Sequence, residues 1–100
     1  MLKHKFKAKQ TECDNIKFAS KKEAKRYNEL KILREAGKII LFLRQVPFHL
    51  PGNSKYVCDF LVFWSDNNVT IEDVKGFKTE NYKLKKRLVE SLFPITITEI

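Results

Sequence analysis

Apolar and polar residues recur with two different periods along this chain, and the changes of period mark its elements. Ala24, Tyr27, Leu30, Leu33 and Ala36 fall on one helical stripe. Ser20 and Glu23 precede it with the Ser-x-x-Glu spacing of a capping box, and Gly37 stands where the helix should stop. "KIILFLRQVPFHL" then reads as an extended run, with Pro47 pointing to an edge or a bend. Pro51-Gly52-Asn53 turns it into "KYVCDFLVFW", "SDNN" turns that into "VTIEDVK", and Gly76 breaks the pattern. A second helix is predicted over 79–92, capped by Thr79, with Leu84, Leu88 and Leu92 as its apolar stripe. Pro94 ends it, and "ITITEI" alternates strictly as a last strand. Upstream, "TECDNIKF" predicts a small hairpin turning at Asp14-Asn15. The order, a hairpin followed by α-β-β-β-α-β, predicts one α/β domain with a mixed sheet over residues 20–100, preceded by a basic arm and hairpin over 1–19.

Composition adds charge to this picture. The chain of 100 residues carries a formal net charge of +8, with nine Lys/Arg against three acids in residues 1–26 and five against one in residues 78–87. Lys21, Lys22, Lys25 and Arg26 crowd the start of the first helix, the wrong end of its dipole for cations. Lys83, Lys86 and Arg87 lie on a side of the second helix away from its leucines. Two basic patches around an acidic strand favour a polyanion, nucleic acid first, over basicity for solubility alone. Lys3, Lys5, Lys7 and Lys9 would line one edge of an extended arm, or lie in a solvated tail. Eight Phe in so short a chain suggest a surface covered by a second copy, hence a homodimer. Two cysteines, Cys13 and Cys58, make neither a disulfide framework nor a metal-spaced pair. With no run of 18 apolar residues and no signal-peptide core in "MLKHKFKAKQ", a cytoplasmic protein is expected.

Candidate chemistry sits in the acids of the strands. Asp59 interrupts an apolar run, which is costly unless something pairs with it. Asp73 and Lys75 share one strand face, and Glu72 points to the other. A three-residue loop Ser65-Asp66-Asn67 would set Asp59 opposite Asp73, and Asp66-Asn67-Asn68 would set it opposite Lys75. An even loop would part the two acids. Two carboxylates and an ammonium on one patch fit a Mg²⁺ site, since Mg²⁺ takes one or two carboxylates with carbonyl and water oxygens. They equally fit a plain salt bridge on a wet face. His4 and His49 have no partner for acid–base work, and no nucleophile constellation, Gly-rich phosphate loop or zinc spacing is present.

Asp59, then Asp73-x-Lys75 one hairpin later, flanked by helices, resembles the PD-(D/E)XK nuclease superfamily, whose core has the element order read above. "IKFASKKEAKRYNELKILREAG", "YVCDFLVFW" and "IEDVKGFKTENYKLKKRL" look more closely like a family of small phage-encoded proteins usually placed there. The resemblance implies a restriction-endonuclease-like fold and a Mg²⁺- or Mn²⁺-dependent deoxyribonuclease in the host cytoplasm. Branched DNA such as a Holliday junction would be its substrate, and a homodimer would supply paired cuts. Asp59, Asp73 and the Val74 carbonyl would be metal ligands, and Lys75 the catalytic lysine. Glu23 would match a helical glutamate of some branches, with the capping box as its competing role, and Gln45 would lie nearby or merely pack. Lys21, Lys22, Lys25, Arg26, Lys78, Lys83, Lys86 and Arg87 are the candidate DNA contacts. The chain departs from the pattern in two places, with Cys58 where the motif has proline and Asp73 for the more usual Glu. A non-catalytic DNA-binding or recombination accessory module on the same fold is the competing reading.

Overall fold

The structure is a computed structural model that describes residues 11–100; the lysine arm and His4 lie outside the described residues. The elements are β1 (Thr11–Cys13), β2 (Ile16–Phe18), α1 (Lys21–Glu35), β3 (Ile39–Leu50), β4 (Ser54–Trp64), β5 (Val69–Asp73), α2 (Glu80–Leu92) and β6 (Ile97–Glu99). Strands β3 to β6 form one mixed sheet in that order, antiparallel except for the parallel β5–β6 pair joined through α2. The fold is thus a small α/β domain with two helices. No helix among the described residues is long and apolar enough to cross a membrane.

Local chemistry explains the boundaries. Asp14 and Asn15 both have positive φ (54° and 62°), the type I′ geometry that closes a two-residue hairpin between β1 and β2. Ser20 Oγ accepts the Glu23 N–H at the start of α1 (3.1 Å), and Gly37 takes φ 78° just past its end. Thr79 caps α2 in the same way, accepting from the Tyr82 N–H (3.0 Å). The β4–β5 loop is the three-residue form. Trp64 N–H donates to the Asn68 carbonyl, and Asn67 takes φ 75° between them.

The helices cover opposite faces of the sheet. Tyr27 and Leu30 of α1 pack with Phe18 of the hairpin against Phe60 and Val62, so the hairpin is part of this core. Tyr82 and Val89 of α2 pack against Leu50, Tyr56, Cys58, Ile71 and Ile97. One detail defeats simple alternation. Tyr56, Cys58, Phe60 and Val62 are all even-numbered and buried, yet the first two face α2 and the last two face α1. Val46 and Phe48 likewise pack on the α2 side, Phe42 on the α1 side. The pairing runs from Arg44↔Phe60 to Val46↔Cys58 and skips Gln45 and Asp59, with Gln45 at φ 54°. Both strands turn over at this point. Of the edge or bend expected at Pro47, the structure shows the edge, and the bend lies at Gln45. Pro47 itself pairs with Val57 on the outermost strand, where a missing N–H is tolerated.

Two apolar expectations are corrected. Leu84, Leu88 and Leu92 remain 56%, 37% and 50% exposed, because α2 is rolled to bury Tyr82 and Val89. Tyr82 is drawn inward by its hydroxyl, which donates to Glu99 (2.8 Å), and by its ring, which lies under the Lys75 ammonium. Ala36 is exposed as the C-cap residue.

The left-handed backbone at Gln45 predicts an inverted stability order. Gln45→Gly and Gln45→Ala both lose the side-chain amide, but only glycine adopts positive φ without strain. In urea unfolding the glycine variant should be the more stable by about 1 kcal/mol. Equal stabilities, or a more stable alanine variant, would show that the turnover of β3 carries no strain.

Candidate metal and catalytic site

Asp59 and Asp73 approach each other at the seam between the two cores. Their strands pair Phe60 with Glu72, so the next step along each strand brings Asp59 level with Asp73. The ladder ends there. The Val74 N–H, which would have met a backbone carbonyl, donates instead to Asp59 Oδ2 (2.8 Å). A side-chain carboxylate has replaced the strand as acceptor, and β5 stops two residues short of the predicted strand end at Lys75.

Asp73 is fully buried. Its Oδ2 accepts the Tyr56 hydroxyl, while Oδ1 has no hydrogen-bond partner and lies 3.6 Å from the Lys75 ammonium. Burial, followed by the adjacent Asp59 carboxylate, pushes the Asp73 carboxyl up to about 7; Tyr56 and Lys75 pull the other way. Glu23 is also buried and is raised, first by burial and then by the Asp59 charge, with Arg44 opposing. Its Oε2 accepts from Gln45 Nε2 (3.2 Å), and the same amide nitrogen lies 3.3 Å from Asp59 Oδ1. Gln45 thus bridges the helical acid to the strand acid. The Glu23 backbone N–H donates to the Ser20 cap, while its carboxylate turns to Gln45 rather than back to the cap.

Lys75 is held over the Tyr82 ring, 5.0 Å from its centroid, and its carbonyl accepts from Lys22 Nζ (3.3 Å). It lines an open hollow of about 460 Å³ with Lys55, Tyr56, Asn81, Tyr82 and Lys85. Cys58, where the motif has proline, is fully buried, and burial pushes its thiol up to about 11, which leaves it inert.

The donors suit one hard divalent cation only in part. Among the described residues, no three His, Cys, Asp or Glu side chains lie together in a way that could hold a metal ion. Two carboxylates do meet, one with a buried oxygen that accepts no hydrogen bond among the described residues and has the Lys75 ammonium at 3.6 Å. Mg²⁺ needs no more protein than this, because it retains several waters. Asp59 and Asp73 are the two carboxylates that meet here, with Glu23 linked to Asp59 through Gln45.

The basic residues divide. Lys21 and Lys25 are exposed at the start of α1 and have no ion-pair partner among the described residues, and the same holds for Arg87 on α2. Lys83 and Lys86 pair with Glu80 and Glu90 of their own helix, and Lys78 with Glu99 (2.8 Å). With Arg87, Lys78, Lys83 and Lys86 still surround a hollow of about 360 Å³. Arg26 differs from the expectation. It turns inward and grips the buried Glu72 with two nitrogens (2.8 and 2.6 Å), so its guanidinium is committed to the core side of α1. Sequence reasoning did not single out Tyr56 or Arg44. Tyr56 had a signal, since a buried tyrosine needs a hydroxyl partner and the acids of the neighbouring strand are the natural ones. Arg44, 4.0 Å from Glu23 and stacked on Phe18, depends on the strand turnover and had none.

A family model described as "Protein of unknown function (DUF1064)" matches residues 3–98. The chain belongs to this family. Neither curated proteins nor solved structures yield a match.

The raised Asp73 carboxyl fixes a direction for stability in metal-free solution. The folded chain keeps this proton up to about pH 7, whereas an unfolded chain releases it near the ordinary 3.8. Between those values the folded state binds more protons, so stability falls as pH rises. In EDTA, melting temperatures should drop between about pH 4 and about pH 7, and Asp73→Asn should flatten that drop. Parallel curves for the two proteins would remove Asp73 as the titrating group.

Proposed function

We propose that this protein is a metal-dependent DNA endonuclease on a restriction-endonuclease-like fold, of the PD-(D/E)XK kind, cutting branched DNA such as a Holliday junction. The observation that carries the reading is the unpartnered, buried Oδ1 of Asp73, with Asp59 beside it and the Lys75 ammonium at 3.6 Å. A buried acceptor without a hydrogen bond is costly, and the one Lys75 ammonium balances only one of the two adjacent carboxylates.

In this reading Asp59, Asp73 and the Val74 carbonyl hold Mg²⁺ or Mn²⁺. The cation, when bound, supplies Lewis acidity toward the phosphate and makes water a better nucleophile. Asp59 would hold the cation while its Oδ2 fixes the Val74 backbone. Tyr56 holds the Asp73 carboxylate in one rotamer. Lys75, stiffened by the Tyr82 ring, offers its charge to the phosphate as negative charge builds in the transition state. Glu23 and Gln45 orient Asp59 from the α1 side.

Lys21, Lys22, Lys25, Lys78, Lys83, Lys86 and Arg87 would meet phosphates, which position a duplex without reading its sequence. Phosphate contacts of this kind favour recognition by DNA shape. The exposed leucine row of α2 supports a homodimer, which would bring two sites to one junction. A second reading has its own support. The missing third ligand among the described residues favours a DNA-binding or recombination accessory module that cuts nothing.

The test is cleavage of a labelled four-way junction, a matched duplex and a single strand in Mg²⁺, Mn²⁺ or EDTA. Metal-dependent junction cutting is expected, with Lys75→Ala slower by about 10²–10³-fold and Asp59→Ala, Lys75→Ala silent. Tight binding of DNA without cutting in either metal would establish the accessory reading instead.

A further inference from the structure

Phe77 is the most exposed large hydrophobic among the described residues, at 81%. It stands on the loop between β5 and α2, two residues past Lys75 and one before Lys78. No core cluster or aromatic pair among the described residues uses its ring, yet the loop beneath it is anchored. Lys22 Nζ donates to the Lys75 carbonyl at one end, and the Thr79 hydroxyl caps α2 at the other. Gly76 beside it faces open space and crowds nothing.

The surroundings identify what the ring would meet. Lys75 lines the hollow that also holds Lys55 and Lys85, and Lys78 lines the one with Lys83, Lys86 and Arg87. The second hollow keeps four cations against two carboxylates, so it stays net positive after its ion pairs are formed. Phe77 is therefore carried on the short span between two lysine-lined depressions. An aromatic face flanked by cations on both sides is the arrangement that stacks a nucleobase while the neighbouring phosphates are held. A paired base inside a duplex has both faces covered and cannot supply the partner.

Resting on the nuclease reading above, we infer that Phe77 is a stacking platform for one unpaired nucleobase next to the phosphate presented to Asp59, Asp73 and Lys75. This names the substrate class as DNA with a single-stranded element at the cut, such as a flap, gap or opened branch point. Phe77 selects that class by contact with a base face, and the lysines on either side hold the strand without regard to its sequence.

The measurement is fluorescence anisotropy in EDTA, where no cutting intervenes, with a labelled single strand, a flap and a blunt duplex of equal length. Phe77→Ala should weaken single-strand and flap binding about tenfold, the loss expected for one stacked base, and change duplex binding less than about twofold. Phe77→Trp should restore affinity, and a 2-aminopurine in the strand should be quenched by the wild type and not by the alanine variant. Equal losses on all three DNAs, no loss on any, or a fall in oligomer mass in sedimentation would overturn the inference. The two readings separate in a parallel Mg²⁺ assay. Cutting that ignores Phe77 sinks the platform alone, and Phe77-dependent binding without cutting sinks catalysis alone.

Discussion

A single turnover of two paired strands organises this protein. Strands β3 and β4 are too long to serve one core, and their buried residues change allegiance between Arg44/Phe60 and Val46/Cys58. One hairpin thus lines the α1 core with one half and the α2 core with the other. The residues at the seam, Gln45 and Asp59, belong to neither and are free to be polar. Every group of the candidate site arrives at this seam. Glu23 comes from the face of α1, and Asp73 and Lys75 come from the end of β5, where the ladder gives out.

The second constraint is how a chain with net charge +8 disposes of its buried acids. Three are buried, and each is settled differently. Glu72 receives a bidentate guanidinium from Arg26, so both of its oxygens are paired. Glu23 is shared between the Gln45 amide and the more distant Arg44. Asp73 is half settled, with one oxygen on Tyr56 and the other facing a lysine too far for a hydrogen bond. A buried charge is tolerated when its partners are complete, and the incomplete case marks where the protein has kept a vacancy in its hydrogen bonding. Glu72 and Asp73 are adjacent in sequence and opposite in fate. The pleat sends one toward α1 and the other toward α2.

Much of this was legible in the sequence, for reasons of local chemistry. The capping hydroxyls of Ser20 and Thr79 and the Asp14-Asn15 turn depend on short-range geometry that residue type dictates, whereas the β4–β5 loop stood open between two three-residue registers and an even form until the structure selected Ser65-Asp66-Asn67. The loop count brought Asp59 level with Asp73, and that was the step on which the site turned. What the sequence could not express was long-range. A period of two assumes that a strand keeps its faces, so the turnover at Gln45 was invisible, and Arg44 and Tyr56 went unnoticed with it. The roll of α2 was lost for a related reason. Three leucines at i, i+4 and i+8 outnumber a tyrosine and a valine, but Tyr82 has Glu99 and Lys75 waiting inside. Arg26 resembled its neighbours in a basic run and parted from them only because Glu72 lies beneath it.

The parallel pairing of β5 with β6 also reaches into the site. The Asp73 carbonyl accepts the Ile100 N–H (2.9 Å), while its side chain is fastened on the other side by Tyr56. Main chain and side chain of one residue are thus pinned by two different strands. The carboxylate cannot swing to follow a visitor, and whatever binds there must accept the spacing the sheet offers. One of those pins is the margin of the sheet, a strand of only three residues. Fraying at a margin is the least costly motion a sheet has. The stiffness of the deepest acid in the molecule is therefore governed from its rim, and each opening of β6 would momentarily give Asp73 back its freedom.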